Sequence, residues 1–170
     1  MPRIHVCSLA LIEEVVEKSG ARSMVTLLNA GPRLVRPKQI APERHLHIEV
    51  ADIVEDAPGQ IAPGDAHVRE LLAFVGGWDR AAPLLIHCFA GVSRSTAAAF
   101  IAVCALEPQR EEGEIARALR EASPTATPNA RLVALADATL RRAGRMTRAI
   151  EQIGPGEACF EGAPFALEIE

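Results

Sequence analysis

The chain has 170 residues, 49% of them hydrophobic, which suits one domain with one core. A net charge of −4 and a pI near 5.8 argue against a general nucleic-acid or anionic-membrane binder. No apolar run approaches a membrane span, Met1-Pro2-Arg3 leads into a strand-like run rather than a signal peptide, and four cysteines without framework spacing point to a reducing, cytoplasmic compartment.

In chain order, Ile4 to Cys7 reads as a first strand, and Ser8 is placed to cap a helix through Val16 that stops at Gly20. Met24 to Leu28 is a second buried strand ending in the turn Asn29-Ala30-Gly31-Pro32. The proline-punctuated stretch from Arg33 to Pro42 carries Arg33, Arg36 and Lys38, either as a solvated loop or as a rim that attracts anions. His45 to Val50 alternates, which puts Leu46, Ile48 and Val50 on one side of a third strand and His45 and His47 on the other. No third ligand accompanies these histidines, so no metal is expected. Residues 51–65 form a long connection, the length at which loops act as lids. A helix follows from Pro63 or Asp65 to about Trp78, with Val68, Leu71, Leu72 and Val75 inward.

Leu84-Leu85-Ile86 after Pro83 is a short strand buried on both faces, and the run from Ser95 to Leu106 is an uncharged core helix. Beyond it, Glu111 to Ala122 is amphipathic, with Ile115, Ala118 and Leu119 inward, and Ser123 to Asn129 breaks it. Asn129 caps a helix from Ala130 to about Ala143, and Arg145 to Ile153 is one helical turn or two. Residues 154–170 read as an extension of unassigned role after a domain spanning 1–153, and there is no internal repeat. Alternating strands and helices imply an α/β fold, a mostly parallel central sheet with helices on both faces.

The chemistry concentrates in the loop His87-Cys88-Phe89-Ala90-Gly91-Val92-Ser93-Arg94-Ser95. A loop entering a helix N-terminus is an anion site, because backbone N–H groups converge there and the helix dipole adds partial positive charge. The amides of Phe89, Ala90, Gly91, Val92, Ser93 and Arg94 are the candidate phosphate binders. Cys88 at the mouth of this loop has its thiolate stabilised by the same field and becomes a nucleophile at neutral pH. The planar fork of Arg94 can hold two phosphoryl oxygens, Gly91 permits a sharp turn, and the Ser95 hydroxyl can bond the Cys88 sulfur as it leaves.

His-Cys, five residues, then Arg-Ser resembles the signature loop of the cysteine-dependent protein tyrosine phosphatases, and within them the dual-specificity group. The break Ser123-Pro124 to Pro128-Asn129 is similar to the equivalent position in that group, so the resemblance covers roughly residues 1–143. The abundance of alanine and arginine fits a bacterial member. The resemblance implies a phosphocysteine mechanism without cofactor or metal, and a general acid following a strand about thirty residues before the cysteine. Asp52, directly after the third strand, fits that place, with Asp56 as the rival. His87 either orients the cysteine or is a plain core histidine, and Cys104 is core packing or a redox partner for Cys88.

The expected substrate is a phosphorylated protein, phosphotyrosine first and phosphoserine or phosphothreonine second, or a small phosphate ester. Phe89, Ala90, Val92 and Ser93 carry no charge, which suits a single phosphate better than a polyphosphorylated inositol lipid. Nucleic acid and membrane are not expected partners. Two rival readings stand beside this one: a phosphate-binding interaction module without turnover, and a rhodanese-like sulfurtransferase, whose shorter loop fits Arg94 poorly.

Overall fold

A computed structural model describes residues 1–31 and 34–170, so Pro32 and Arg33, part of the expected turn and basic rim, lie outside the described residues. Among the described residues, five strands form one sheet in the order β3-β2-β4-β1-β5. They are β1 (Arg3–Cys7), β2 (Ser23–Leu28), β3 (His45–Glu49), β4 (Leu84–His87) and β5 (Phe165–Glu168). All neighbouring pairs are parallel except β1 with β5.

The alternation of each strand sorts its side chains onto two cores. Ile4, Val6, Val25, Leu27, Ile48, Leu84 and Ile86 pack beneath the larger helical layer, whereas Cys7, Met24 and Leu85 face the other side with Ile12, Val15 and Val16. That second side is covered by α1 (Ile12–Ser19). The first carries α2 (Asp65–Gly76), α3 (Arg94–Leu106), α4 (Glu112–Ala122), α5 (Ala130–Thr139) and α6 (Arg145–Ile153). The expected α/β architecture is therefore present, with its helical layers unequal. Every residue of α3 from Arg94 to Cys104 is buried, as the uncharged run after Arg94 requires. No helix among the described residues is long and apolar enough to cross a membrane.

Several expectations need correction. Ser8 caps no helix: its side chain makes no cap bond, Leu9–Leu11 form a 3₁₀ turn, and the Ser8 hydroxyl instead donates to Glu161. α2 stops at Gly76, short of Trp78, and α3 begins at Arg94 rather than Ser95. α5 ends at Thr139, not near Ala143, because Arg141 and Ala143 adopt positive φ. The buried Asp137 carboxylate holds that break open by accepting from the Gly144 and Met146 amides, both at 2.8 Å. These bonds start α6, a full nine residues. Nothing in the sequence reading anticipated β5, which pairs with the other edge of β1 and makes residues 165–168 an edge strand of the sheet.

Candidate active site

β4 is the middle strand of the sheet, and all four of its residues are buried. The chain leaves it at Cys88, loops through Ser93 and enters α3 at Arg94. Gly91 makes the loop possible, since its φ is +72° and a Cβ there would sit 2.9 Å from the Cys7 carbonyl carbon and the Ser8 nitrogen.

The loop carbonyls are tied outward by donors from four different places. Phe89 O accepts from Leu9 N at 3.0 Å and Ala90 O from Gly162 N at 2.9 Å. Val92 O accepts from Thr127 N at 2.9 Å and from Thr96 Oγ1 at 2.6 Å, and Ser93 O from Ala97 N at 3.0 Å and Asn129 N at 3.1 Å. In a trans peptide the N–H points opposite to the C=O. The amides of Ala90, Gly91, Ser93 and Arg94 therefore turn away from these anchors, an arrangement that can cradle an anion on the concave side of the loop.

Cys88 lies at the floor of this loop, 2% exposed, and its sulfur is 3.0 Å from the Ser95 hydroxyl. Arg94 is buried, and its Nη1 is committed to Asn29 Oδ1 at 2.8 Å and to the Val50 carbonyl at 2.9 Å. Its Nε is buried with no partner. A buried donor left unpaired costs about 1–3 kcal/mol, so the guanidinium is anchored on one side and incomplete on the other. A bound oxyanion would complete it.

His87 does more than precede the cysteine. Its Nδ1 is 3.1 Å from the Cys88 carbonyl and its Nε2 is 2.7 Å from Thr26 Oγ1, which is 2.8 Å from His45 Nε2. Burial pulls the His87 imidazole down to about 4, outweighing the bond to Cys88, so the ring is neutral at pH 7. A neutral ring facing a carbonyl must carry its proton on Nδ1, which makes Nε2 an acceptor. Thr26 therefore donates to His87, and His45 donates to Thr26. The relay runs one way, from half-buried His45 on β3 through β2 to the carbonyl of Cys88. Register makes it possible, because Thr26 pairs with His87 across β2 and β4. Sequence reading missed Thr26, whose place in a buried strand looked like ordinary packing, and weighed His45 as a metal ligand or a plain surface or core-edge histidine, not as a donor toward the site.

Asp52 follows β3 by three residues, and its Oδ1 accepts from Ser93 Oγ at 2.7 Å and from Asn129 Nδ2 at 2.9 Å. Asn129 also caps α5 by accepting from Leu132 N at 3.0 Å, so one side chain links the candidate acid to a helix start. Asp56 points elsewhere: its carboxylate is 86% exposed and pairs with Arg131 at 2.9 Å. The two aspartates flank an open cleft of about 630 Å³ that Ile53, Val54, Ser93 and Asn129 also line. The structure thus gathers Cys88, Arg94, Ser95 and His87 at one loop and bonds Asp52 to it through Ser93, while Asp56, on the same cleft, pairs with Arg131 instead. Cys104 is fully buried within α3, and burial pushes its thiol up to about 12. Of the basic stretch, Arg36 donates to the Ile40 carbonyl at 2.9 Å.

No protein-family model and no curated protein sequence matches this chain. Among solved structures it is similar to DUSP15, with 20% identity over 93% of this chain and 96% of that one and a TM-score of 0.60. It is also similar to human DUSP28, with 19% identity, 82% and 89% coverage and a TM-score of 0.62. A third is the PTP-2 phosphatase of Cydia pomonella, with 19% identity, 79% and 84% coverage and a TM-score of 0.60. The likeness is one of fold: the chain has the architecture of the dual-specificity and tyrosine phosphatases.

Proposed function

We propose that the protein is a cysteine-dependent phosphomonoesterase, acting first on phosphotyrosine in proteins, with phosphoserine and phosphothreonine as further substrates. The observation that carries the proposal is the buried, unpartnered Nε of Arg94 beside the inward-turned amides of the Cys88 loop. The phosphatase fold supports it independently.

In the first step Cys88 Sγ attacks phosphorus in line, the S–P bond forms and the bond to the leaving oxygen breaks. Asp52 supplies the proton that oxygen needs. Its Oδ1 is occupied by Ser93 and Asn129, so Oδ2 is the atom that carries the proton. In the second step the Asp52 carboxylate takes a proton from water, water attacks phosphorus, and the S–P bond breaks. The Ser95 hydroxyl, 3.0 Å from sulfur, donates to the departing thiolate. Arg94 and the loop amides hold the equatorial oxygens throughout. The mechanism needs Cys88 reduced, so the proposal includes a reducing compartment, the cytoplasm. The uncharged loop side chains, with Phe89 exposed at the rim, support a singly phosphorylated aromatic substrate.

The test is phosphate release from a phosphotyrosyl peptide and from p-nitrophenyl phosphate, with acid-quenched trapping of phosphate on the protein. Turnover with a trapped phosphocysteine that is lost in Cys88→Ser is the expected result. A wild-type protein that binds orthovanadate but releases no phosphate overturns the enzyme in favour of an interaction module. Thiocyanate formed from thiosulfate and cyanide would favour sulfur transfer instead.

A further inference from the structure

We propose that residues 154–164 are a strap that holds the oxyanion loop in shape, with Gly162 as a positioning residue and the Ser8–Glu161 contact as its anchor. The inference rests on reading Cys88 to Arg94 as an oxyanion cradle, and it assigns the cradle a support distant in sequence.

The strap runs along the back of the site in two contacts. First it lies on the 123–127 break, where Arg120 Nη2 donates to Gly154 O at 2.7 Å, Gly156 N to Thr127 Oγ1 at 3.0 Å and Glu157 N to Pro124 O at 2.9 Å. Thr127 is also the residue whose amide holds Val92 O. The strap then reaches the loop itself, where Ser8 Oγ donates to Glu161 and Gly162 N donates to Ala90 O at 2.9 Å. In each contact one bond joins backbone to backbone, Glu157 N to Pro124 O and Gly162 N to Ala90 O, beside a glycine that lets the chains approach. A Cβ at Gly156 would lie 2.5 Å from the Thr125 carbonyl carbon, and one at Gly162 would lie 2.9 Å from Gly91 O and 3.3 Å from Thr125 Oγ1.

Apolar burial does not explain this path. Phe160, the large side chain of the segment, is fully exposed, and Cys159 is exposed as well. What the segment does make is polar, directed first at the 123–127 break that holds Val92 O and then at the loop itself. Holding the Ala90 carbonyl outward fixes the plane of the Ala90–Gly91 peptide, and so aims the Gly91 amide into the cradle. Gly162→Ala keeps the donor but pushes on Gly91 O, which displaces Gly91 itself and so turns its amide away from the cradle.

Two measurements that need no turnover test the strap: tungstate affinity by calorimetry, and the pH midpoint of Cys88 alkylation by iodoacetamide. Gly162→Ala is expected to weaken tungstate binding by about fivefold or more, since one aligned donor is lost or misdirected. The same variant should move the alkylation midpoint upward, because the amides that stabilise the thiolate no longer converge. Phe160→Ala, in the same segment, should change neither. If Gly162→Ala fails to fold by circular dichroism, Ser8→Ala removes the anchor without adding volume or altering the Glu161 charge, and should shift both readouts in the same direction. A folded Gly162→Ala, or in its place Ser8→Ala, with wild-type affinity and midpoint overturns the strap while leaving the cradle intact. Wild-type protein that binds no tungstate overturns the cradle, and the strap with it.

Discussion

Replacing Asp52 by asparagine separates its structural role from its proposed chemical one. An amide oxygen at Oδ1 can still accept from Ser93 Oγ and Asn129 Nδ2, now at 2.7 and 2.9 Å. The two bonds weaken from charge-assisted to neutral, at a cost of about 1 kcal/mol in a fold whose other contacts are untouched. For a chain of this size that is a fall of about 2–4 °C in Tm. The proton on Oδ2 is lost altogether, and removing a general acid costs about a hundredfold or more, or about 2.7 kcal/mol in the barrier. The loss should be concentrated on poor leaving groups: phosphotyrosine and alkyl phosphates slow greatly, an aryl ester of an acidic phenol only slightly. Asp56→Asn is the comparison, since it removes an exposed pair with Arg131 worth at most about 1 kcal/mol. Steady-state kinetics across a series of phenyl phosphates reads the difference. Leaving-group dependence in Asp56→Asn and none in Asp52→Asn would refute the assignment.

Arg94→Lys should reduce kcat/KM by about a hundredfold to a thousandfold, because one ammonium cannot both satisfy Asn29 and Val50 and reach the anion; near-normal kinetics would remove Arg94 from the transition state. Ser95→Ala should show a pre-steady-state burst followed by slow turnover, since the thiolate loses its donor at 3.0 Å; no burst and an unchanged steady rate would make Ser95 a packing residue. His87 is held down to about 4 against an ordinary 6.5, so its neutral form stabilises the fold above pH 6.5 and that contribution is lost as pH falls toward 4. The full difference is about 3 kcal/mol, seen as a falling urea midpoint between pH 6.5 and 4 that His87→Asn lacks. An identical pH slope in that variant would show that other groups cause the acid destabilisation.

The loop from His87 to Ser95 was legible in the sequence because its chemistry is local: the nucleophile, the turn glycine and the arginine follow one another between a strand and a helix. Asp52 was legible for a similar reason, lying just past an alternating strand. The Thr26 relay was not, because it depends on register between strands that no local pattern reports. The end of α5 was misread because no glycine or proline interrupts Thr139 to Ala143, and the stop comes from the Asp137 carboxylate binding amides further on. β5 is four residues long, begins after Pro164 and ends in Glu168, too short for its alternation to stand out. Gly156 and Gly162 looked like loop punctuation, whereas each marks a place where two backbones touch.

The sheet order has a consequence for how the protein is made. β1 leaves the ribosome before either of its partners, yet one of its edges is closed only by β5, with Arg3 opposite Glu168. Its other edge waits for β4, eighty residues on in the register Ile4 to Leu84. Contacts this distant in sequence slow folding, because the chain entropy of closing them is spent before they return any energy. Until residues 165–168 are free, the nascent chain exposes an unpaired strand edge of the kind that recruits other strands. Folding intermediates that lack β5 should accordingly be the species that aggregate and that chaperones hold.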